Sequence, residues 1–126
     1  MTTALWCILV AALLPYVATI AAKAGGRMPA RVNAGPRPWL DTLEGWPRRA
    51  HWAQLNSFEV LPAFAAGVLV AQFVHAPQAR IDWLAEAFIV TRIIYLICYL
   101  ADLASLRSIV WFAGMGCIVA LFAAGA

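Results

Sequence analysis

The chain has 126 residues, of which 64% are hydrophobic and only 12% are charged. A soluble domain carries about 25% charged residues, and a small domain exposes too much surface to hide such an apolar excess in its core. The composition therefore excludes an ordinary soluble domain. It predicts a single membrane domain, residues 1–126, whose surface lies mostly in lipid.

The formal charge of +3 is concentrated in one part of the chain. Six cationic side chains lie between residues 23 and 49: Lys23, Arg27, Arg31, Arg37, Arg48 and Arg49. No nucleic-acid partner is expected, because no basic face interleaved with aromatic residues follows from this cluster. The positive-inside rule explains the cluster more simply, as the cytoplasmic side of a membrane protein.

The three cysteines, Cys7, Cys98 and Cys117, all lie in apolar runs. Their spacing is not typical of a disulfide framework, and no CxxC motif or His/Cys cluster indicates a metal-ligand set. We interpret them as small buried hydrophobic residues and predict no metal site.

Four apolar segments predict four membrane-spanning helices, at about residues 2–23, 47–75, 81–101 and 107–125. They are long enough to cross a hydrocarbon core of about 30 Å at about 1.5 Å per residue. A signal peptide is the competing interpretation of the first segment, but the basic residues follow its apolar run instead of preceding it. The pattern predicts an all-α, integral membrane four-helix bundle.

The connection over residues 24–46 is rich in glycine and proline, so we predict a loop without an extended helix. With four spans, this loop and the turn near Arg107 share one side of the membrane. That side holds seven Lys and Arg residues, whereas the opposite loop holds only Arg80. The positive-inside rule therefore places loop 24–46 in the cytoplasm and both termini outside.

Two polar stripes run along the predicted second and third helices at a helical period. The stretch "RRAHWAQLNSFEVLP" opens the second helix, and its stripe contains Arg49, Trp52, Asn56, Glu59 and Ala63. The stripe of the third helix contains Phe88, Arg92, Tyr95, Tyr99 and Asp102. A charge at the centre of a membrane helix costs about 2.5–3.5 kcal/mol on insertion scales. We therefore predict that Glu59 and Arg92 face protein and approach each other as an ion pair, with a structural role as the first interpretation.

The polar residues are predicted to converge in one cleft at the cytoplasmic side. It is lined by Arg31, Arg49, Gln54, Asn56, Glu59, Arg92, Tyr95, Tyr99 and Arg107. Such a cleft suits a small anion that also bears an amine, because arginine binds carboxylates and glutamate binds ammonium. Tyr and Arg side chains beside a bound thiol would lower its pKa and favour the nucleophilic thiolate. Arg48 and His51 are predicted to face solvent or lipid headgroups.

The stretch "RAHWAQLNSFEVLP", followed by "RIIYLICYLADLASLRS", resembles the MAPEG family, the membrane-associated proteins in eicosanoid and glutathione metabolism. N-x-x-E-x-x-P together with R-x-x-Y-x-x-x-Y is a fairly specific combination, and the resemblance spans nearly the whole chain. It implies a four-helix bundle that assembles as a homotrimer, with glutathione between adjacent subunits. The short, alanine-rich chain resembles bacterial members, which implies a bacterial inner membrane.

The resemblance also implies roles for individual residues. Asn56 and Glu59 match glutathione-contacting residues, Gln54 matches a glutamine of the leukotriene-synthase branch, and Arg31 matches an arginine for a glutathione carboxylate. Tyr95, Tyr99 and Arg92 match positions in the third helix. Arg107 and Ser108 resemble an Arg-Ser pair whose arginine stabilises the thiolate. Trp52 stands where many relatives have an arginine, and Arg49 is the predicted substitute.

These assignments lead to one expected activity and one alternative. The first is a glutathione-dependent transferase or peroxidase that acts on lipophilic electrophiles reached through membrane lipid. Arg107, Tyr95 and Tyr99 would be catalytic, and Arg31, Arg49, Gln54, Asn56, Glu59, Arg92 and Ser108 would bind glutathione. The alternative is a non-catalytic protein that serves as an assembly or accessory subunit. A small transporter is disfavoured because the helices lack broken segments.

Overall fold

The computed structural model describes residues 1–125, which form five α-helices and one short 3₁₀ helix. The helices are α1 (Thr3–Gly25), α2 (Pro36–Asp41), α3 (Gly45–Phe73), α4 (Gln78–Leu100) and α5 (Ala104–Ala123), and the 3₁₀ helix is Ala30–Ala34. All except α2 and the 3₁₀ helix are long and apolar enough to cross a membrane. The predicted all-α membrane bundle is confirmed.

Several helices begin earlier than the sequence predicts. α3 begins at Gly45 and places Pro47 in its first turn, where the missing N–H costs nothing. α5 begins at Ala104, so Arg107 lies within its first turn and not at its start. The predicted loop contains α2, which Pro36 opens at its first position.

Aromatic and aliphatic side chains fill the centre of the bundle. Phe64 of α3 stacks on Phe88 of α4, with ring centroids 4.0 Å apart and planes 12° apart. α5 crosses α4 closely at Gly114, where a Cβ atom would lie 3.0 Å from Thr91 Oγ1. The outer surface carries exposed large apolar residues on every long helix, for example Ile20, Phe73, Trp83, Ile97 and Phe112. Such a surface faces lipid.

Three helices end in the same backbone conformation. The residues Arg27, His75 and Asp102 follow the ends of α1, α3 and α4 with φ angles of 54°, 55° and 59°. The next N–H in each case reaches back to a carbonyl five residues earlier, as in Leu103 N to Cys98 O at 2.9 Å. This is the Schellman ending, in which glycine is the usual residue at the left-handed position.

We call the two ends of the bundle the loop end, which carries residues 26–44 and 101–103, and the terminal end, which carries both chain termini. At the loop end, the Trp46 ring packs on Gly25, where a Cβ would overlap it. Trp39 and Leu43 pack on Gly26 in the same way. The segment between α1 and α3 is therefore held down as an ordered cap.

The lengths of the helices indicate where the membrane boundary falls at the loop end. The 29 residues of α3 span about 44 Å, whereas a hydrocarbon core is about 30 Å thick, or about 20 helical residues. At the terminal end, α3 ends at Phe73 and α4 begins at Gln78. Counting about 20 residues from there puts the loop-end boundary near Ala53 of α3 and Cys98 of α4. The first two turns of α3 therefore stand in the headgroup layer.

Candidate functional site

A buried arginine connects α3 to α4 below this boundary. Arg92 is only 4% exposed, and its Nη2 donates to Asn56 Oδ1 at 3.0 Å and to Ser57 Oγ at 3.2 Å. Its guanidinium carbon lies 4.1 Å from the centroid of the Tyr95 ring. Arg92 Nε is buried and has no hydrogen-bond partner among residues 1–125. The charge is therefore held by neutral groups and one aromatic face.

The predicted direct ion pair between Glu59 and Arg92 is wrong. Asn56 stands between them, since its Nδ2 donates to Glu59 Oε2 at 3.2 Å while its Oδ1 accepts from Arg92. Glu59 lies on the exposed face of α3, whereas Arg92 points into the bundle. An amide offers both a donor and an acceptor, so it can connect a carboxylate to a guanidinium that the carboxylate does not reach.

The first cleft, which we call the aromatic cleft, lies between α4 and α5 and has a volume of about 260 Å³. Its lining residues are Tyr95, Tyr99, Arg107, Ser108, Trp111 and Phe112. The Tyr95 and Tyr99 rings meet edge to face with centroids 5.2 Å apart. The Arg107 guanidinium carbon lies 4.4 Å from the Tyr99 ring centroid. The two tyrosines are thus bracketed by two cations, Arg92 and Arg107.

Trp111 and Phe112 are cleft residues that sequence reasoning missed. Their rings meet at 5.1 Å and 83°, and Phe112 is 69% exposed toward lipid. Residues 108–126 contain no charged residue, so their composition does not indicate which face of the helix lines the cleft. The signal was the spacing, because Trp111 follows Arg107 by four residues and so shares its helix face.

Ser108 lies in the lining of the aromatic cleft, next to Arg107 in the sequence. Its hydroxyl donates to the Ala104 carbonyl at 3.2 Å. This bond within α5 uses the hydroxyl proton, so Ser108 offers the cleft an acceptor.

Arg49 caps α4, which corrects its predicted position on the wall of a ligand cleft. Its Nε donates to the Tyr99 carbonyl at 2.8 Å and its Nη2 donates to the Leu100 carbonyl at 3.1 Å. Asp102 Oδ1 lies 4.0 Å from the same Nε. A cation at a helix C-terminus is stabilised by the unpaired carbonyls there. Arg49 therefore fixes the backbone of Tyr99.

Gln54 does not join the aromatic cleft within one chain. It lines a second cleft of about 320 Å³, which we call the boundary cleft, between α2 and α3. The lining residues are Arg37, Leu40, Asp41, His51, Gln54, Leu55 and Phe58. The sequence analysis predicted one polar cleft that contains both Gln54 and Asn56. These residues are two apart on α3, however, so their side chains point to different sides of the helix.

His51 is buried in the wall of the boundary cleft, contrary to the prediction that it faces solvent. It is 6% exposed, with Nε2 3.3 Å from Asp41 Oδ1 and Nδ1 3.3 Å from Gln54 Oε1. The imidazole therefore ties α2 to α3. Within residues 1–125, no group of three His, Cys, Asp and Glu side chains could hold a metal ion.

A comparison with protein families settles the relationship that the two polar helices suggest. The sequence model of the MAPEG family matches residues 3–126, which is essentially the whole chain. The chain belongs to the MAPEG family. It is an integral membrane protein with four candidate transmembrane helices. No curated protein matches this chain.

MAPEG membership narrows the chemistry without fixing one activity. The family includes glutathione-dependent transferases and peroxidases as well as non-catalytic members, its proteins commonly use glutathione, and many are oligomeric. In this MAPEG protein, Arg31 is exposed in the 3₁₀ helix and lines neither cleft. The Arg48 guanidinium carbon lies 5.0 Å from the centroid of the exposed Trp52 ring. Arg48, and not Arg49, is thus the arginine that lies next to Trp52.

Proposed function

We propose that this MAPEG protein is a glutathione-dependent transferase or peroxidase that acts on lipophilic electrophiles. The observation that carries the proposal is the aromatic cleft, in which Arg107 lies over Tyr99 beside Tyr95. The exposed Phe112 gives this cleft an apolar edge toward lipid. An apolar second substrate can therefore reach the same cleft from the bilayer.

Arg107 would stabilise the glutathione thiolate. It forms no ion pair with any residue of the described chain, and it lies about 4.5 Å along α5 from the first residue of that helix. A nearby unpaired cation lowers the pKa of a thiol and favours the nucleophilic thiolate. The hydroxyl groups of Tyr95 and Tyr99 are hydrogen-bond donors at the same cleft, and Ser108 supplies an acceptor.

The thiolate sulfur would attack the electrophilic carbon, so that a C–S bond forms and the leaving group departs with its bonding electrons. With a hydroperoxide, the sulfur attacks the terminal oxygen and the O–O bond breaks, which gives the sulfenic acid of glutathione and an alkoxide that takes up a proton and leaves as the alcohol. A second glutathione then displaces water from the sulfenic acid and gives the disulfide. Both reactions require the same stabilised thiolate.

Glu59 and Asn56 would hold the peptide of glutathione, and the buried Arg92 would act through its hydrogen bond to Asn56. Glu59 is exposed below the loop-end boundary, and its carboxylate can accept the ligand ammonium. A carboxylate exposed to lipid at membrane depth costs about 2.5 kcal/mol or more, so we expect a second copy of the chain to cover it in a homotrimer. The positive-inside rule would place the loop end in the cytoplasm.

Thermal unfolding of the detergent-purified protein tests the proposal, with and without millimolar glutathione. A ligand that binds only the folded state raises the melting temperature. Conjugation of an aryl halide and the ultraviolet absorbance of the thiolate report the chemistry. Arg107→Leu should abolish the thiolate absorbance while binding of glutathione persists, and Arg80→Leu, at the other end of the bundle, is the control. A full thiolate signal in Arg107→Leu would contradict the role of Arg107.

Non-catalytic assembly or accessory function is the second candidate. It is favoured by the use of Arg49 at the end of α4, where Nε and Nη2 donate to the carbonyls of Tyr99 and Leu100, and by Trp52, which stands where many relatives have an arginine. A melting temperature unchanged by glutathione, together with no aryl conjugation, would support this candidate and exclude the enzyme.

A further inference from the structure

The boundary cleft combines an unpaired cation with an apolar floor at the level of the lipid headgroups. We propose that it binds the phosphate of an anionic phospholipid, with Arg37 and Gln54 on the phosphate and Leu55 and Phe58 along the start of an acyl chain. The cleft lies between α2 and α3, whereas the aromatic cleft of the proposed enzyme lies between α4 and α5, so the two proposals share only Gln54, which the family resemblance assigns to glutathione.

The arginine and the carboxylate of the cleft do not pair with each other. Asp41 is the one carboxylate in the lining, and its Oδ1 lies 3.3 Å from His51 Nε2. Arg37 makes neither an ion pair nor a side-chain hydrogen bond with any residue from 1 to 125. Its guanidinium is thus available to an anion, and its planar fork matches a phosphate.

Gln54 supplies neutral donors to the same anion. Its Oε1 faces His51 Nδ1 at 3.3 Å, and its amide nitrogen makes no hydrogen bond within the described chain. The buried imidazole holds the Gln54 side chain at the wall of the cleft. The cleft therefore combines a free guanidinium with an amide, two groups that can donate to a phosphate.

The cleft is polar on one side of the loop-end boundary and apolar on the other. Arg37 and His51 lie on the headgroup side of Ala53, whereas Leu55 and Phe58 lie about 3 and 8 Å below it. Leu55 is 45% exposed. Phe58 meets the ring of Tyr16 edge to face at 5.6 Å, and Tyr16 is 55% exposed. An exposed apolar wall therefore continues from the cleft along α1 into the acyl region.

The volume suits a headgroup better than a whole lipid. A cleft of about 320 Å³ can hold a glycerophosphate and the first carbons of a chain, and the rest of the chain would follow the wall made by Phe58 and Tyr16. Phospholipids are the abundant phosphate-bearing amphiphiles in this layer, and basic pockets at the membrane surface bind the anionic ones.

Native mass spectrometry of the detergent-purified protein tests the proposal by titration with dioctanoyl-phosphatidylglycerol. The parallel titrations use dioctanoyl-phosphatidylcholine, inorganic phosphate and glutathione. Arg37→Gln should weaken phosphatidylglycerol binding by about tenfold, the effect expected for one charged hydrogen bond. Arg27→Gln removes an exposed cation of the same loop that lies outside the cleft, and it should bind the lipid like the natural protein. Circular dichroism of each variant checks that it is folded.

Four results would overturn the proposal. Equal binding of phosphatidylcholine would show that the anionic headgroup is not recognised. Equal affinity for inorganic phosphate would assign the cleft to the free ion. Equal losses in Arg37→Gln and Arg27→Gln would indicate diffuse attraction to a basic loop. A loss of glutathione binding alone in Arg37→Gln would assign the cleft to glutathione. A failure of glutathione to bind the natural protein would leave the lipid result unaffected and bear only on the proposed enzyme.

Discussion

The two ends of the bundle hold their polar side chains in different ways. At the terminal end, Thr2 Oγ1 accepts from Gln72 Nε2 at 3.0 Å, and Asp82 Oδ1 accepts from the Ala4 N–H at 2.8 Å and from Gln78 Nε2 at 2.9 Å. These bonds hold the start of α1 against α3 and α4. At the loop end, by contrast, Arg92 Nε is buried without a partner.

The difference separates polar groups that stabilise the fold from polar groups that can bind a ligand. Thr2, Gln72, Gln78 and Asp82 at the terminal end bond to one another or to the start of α1, so their contribution is to stability. At the loop end, Arg37, Arg107 and the amide of Gln54 keep donors that the described chain does not use. Substitutions at the terminal end should therefore change stability alone, whereas some substitutions at the loop end should also change ligand binding. Four experiments test this difference.

Arg49→Met should produce the largest loss of stability. The substitution removes two charged hydrogen bonds to the end of α4, which we expect to cost about 3 kcal/mol. The control is Arg48→Met, which loses only a contact with an exposed Trp52 ring and should cost about 0.5–1 kcal/mol. Unfolding in mixed micelles, followed by circular dichroism, measures both. Similar losses would show that the α4 cap is not what Arg49 supplies.

Asn56→Leu should cost about 2 kcal/mol, because it leaves Arg92 with an unmatched donor in a buried site. Gln72→Leu at the terminal end removes one neutral hydrogen bond, to Thr2, and should cost about 1 kcal/mol. Only Asn56→Leu should also reduce binding of glutathione. An equal effect of both variants on ligand binding would contradict the division between the two ends.

Gly25→Ala should destabilise the protein by about 1 kcal/mol or slightly more, since the new Cβ would overlap the Trp46 ring and displace the cap at the loop end. Gly116→Ala is the matched change, because no atom lies within 4 Å of a Cβ at that position. It should be neutral or stabilising, as alanine is the better helix former. Quenching of tryptophan fluorescence would report the release of Trp46, and an unchanged signal in Gly25→Ala would refute the packing.

His75→Gly should have the smallest effect and the opposite sign. His75 has a φ of 55° at the terminal end, a conformation that strains residues with a Cβ. The gain should be about 0.5 kcal/mol, because glycine also increases the entropy of the unfolded chain. Thermal unfolding measures it, with Ala76→Gly as the control that should lose stability. Binding of glutathione should not change in His75→Gly.

Much of the loop-end site could be predicted from the helical period alone. Tyr95, Tyr99 and Arg92 share a stripe, and Arg107 follows on the next helix, so their approach required only the correct spans. The helical period also predicted that Asn56 and Glu59 lie on the same face of their helix. It could not show that an amide would stand between Glu59 and Arg92, because this depends on the reach of each side chain.

Side-chain contacts that depend on where a distant helix begins or ends could not be predicted from the sequence. The role of Arg49 depends on where α4 ends relative to α3, since its partners are main-chain carbonyls that no residue type marks. His51 is buried only because α2 forms from a proline-rich segment and brings Asp41 over it. The loop-end boundary passes through this same region, so polarity alone suggested a solvated histidine.

The extra length of α3 makes the depth of both clefts a property of the surrounding bilayer as well as of the protein. A bilayer thicker by about 4 Å would move the boundary by roughly three residues along α3, from Ala53 to about the level of Ala50. His51 would then lie in hydrocarbon, and access from water to the boundary cleft would narrow. In a thinner bilayer, Asn56 would approach the headgroups instead. The thickness of the membrane can thus regulate which solutes reach these side chains without any change in the helices.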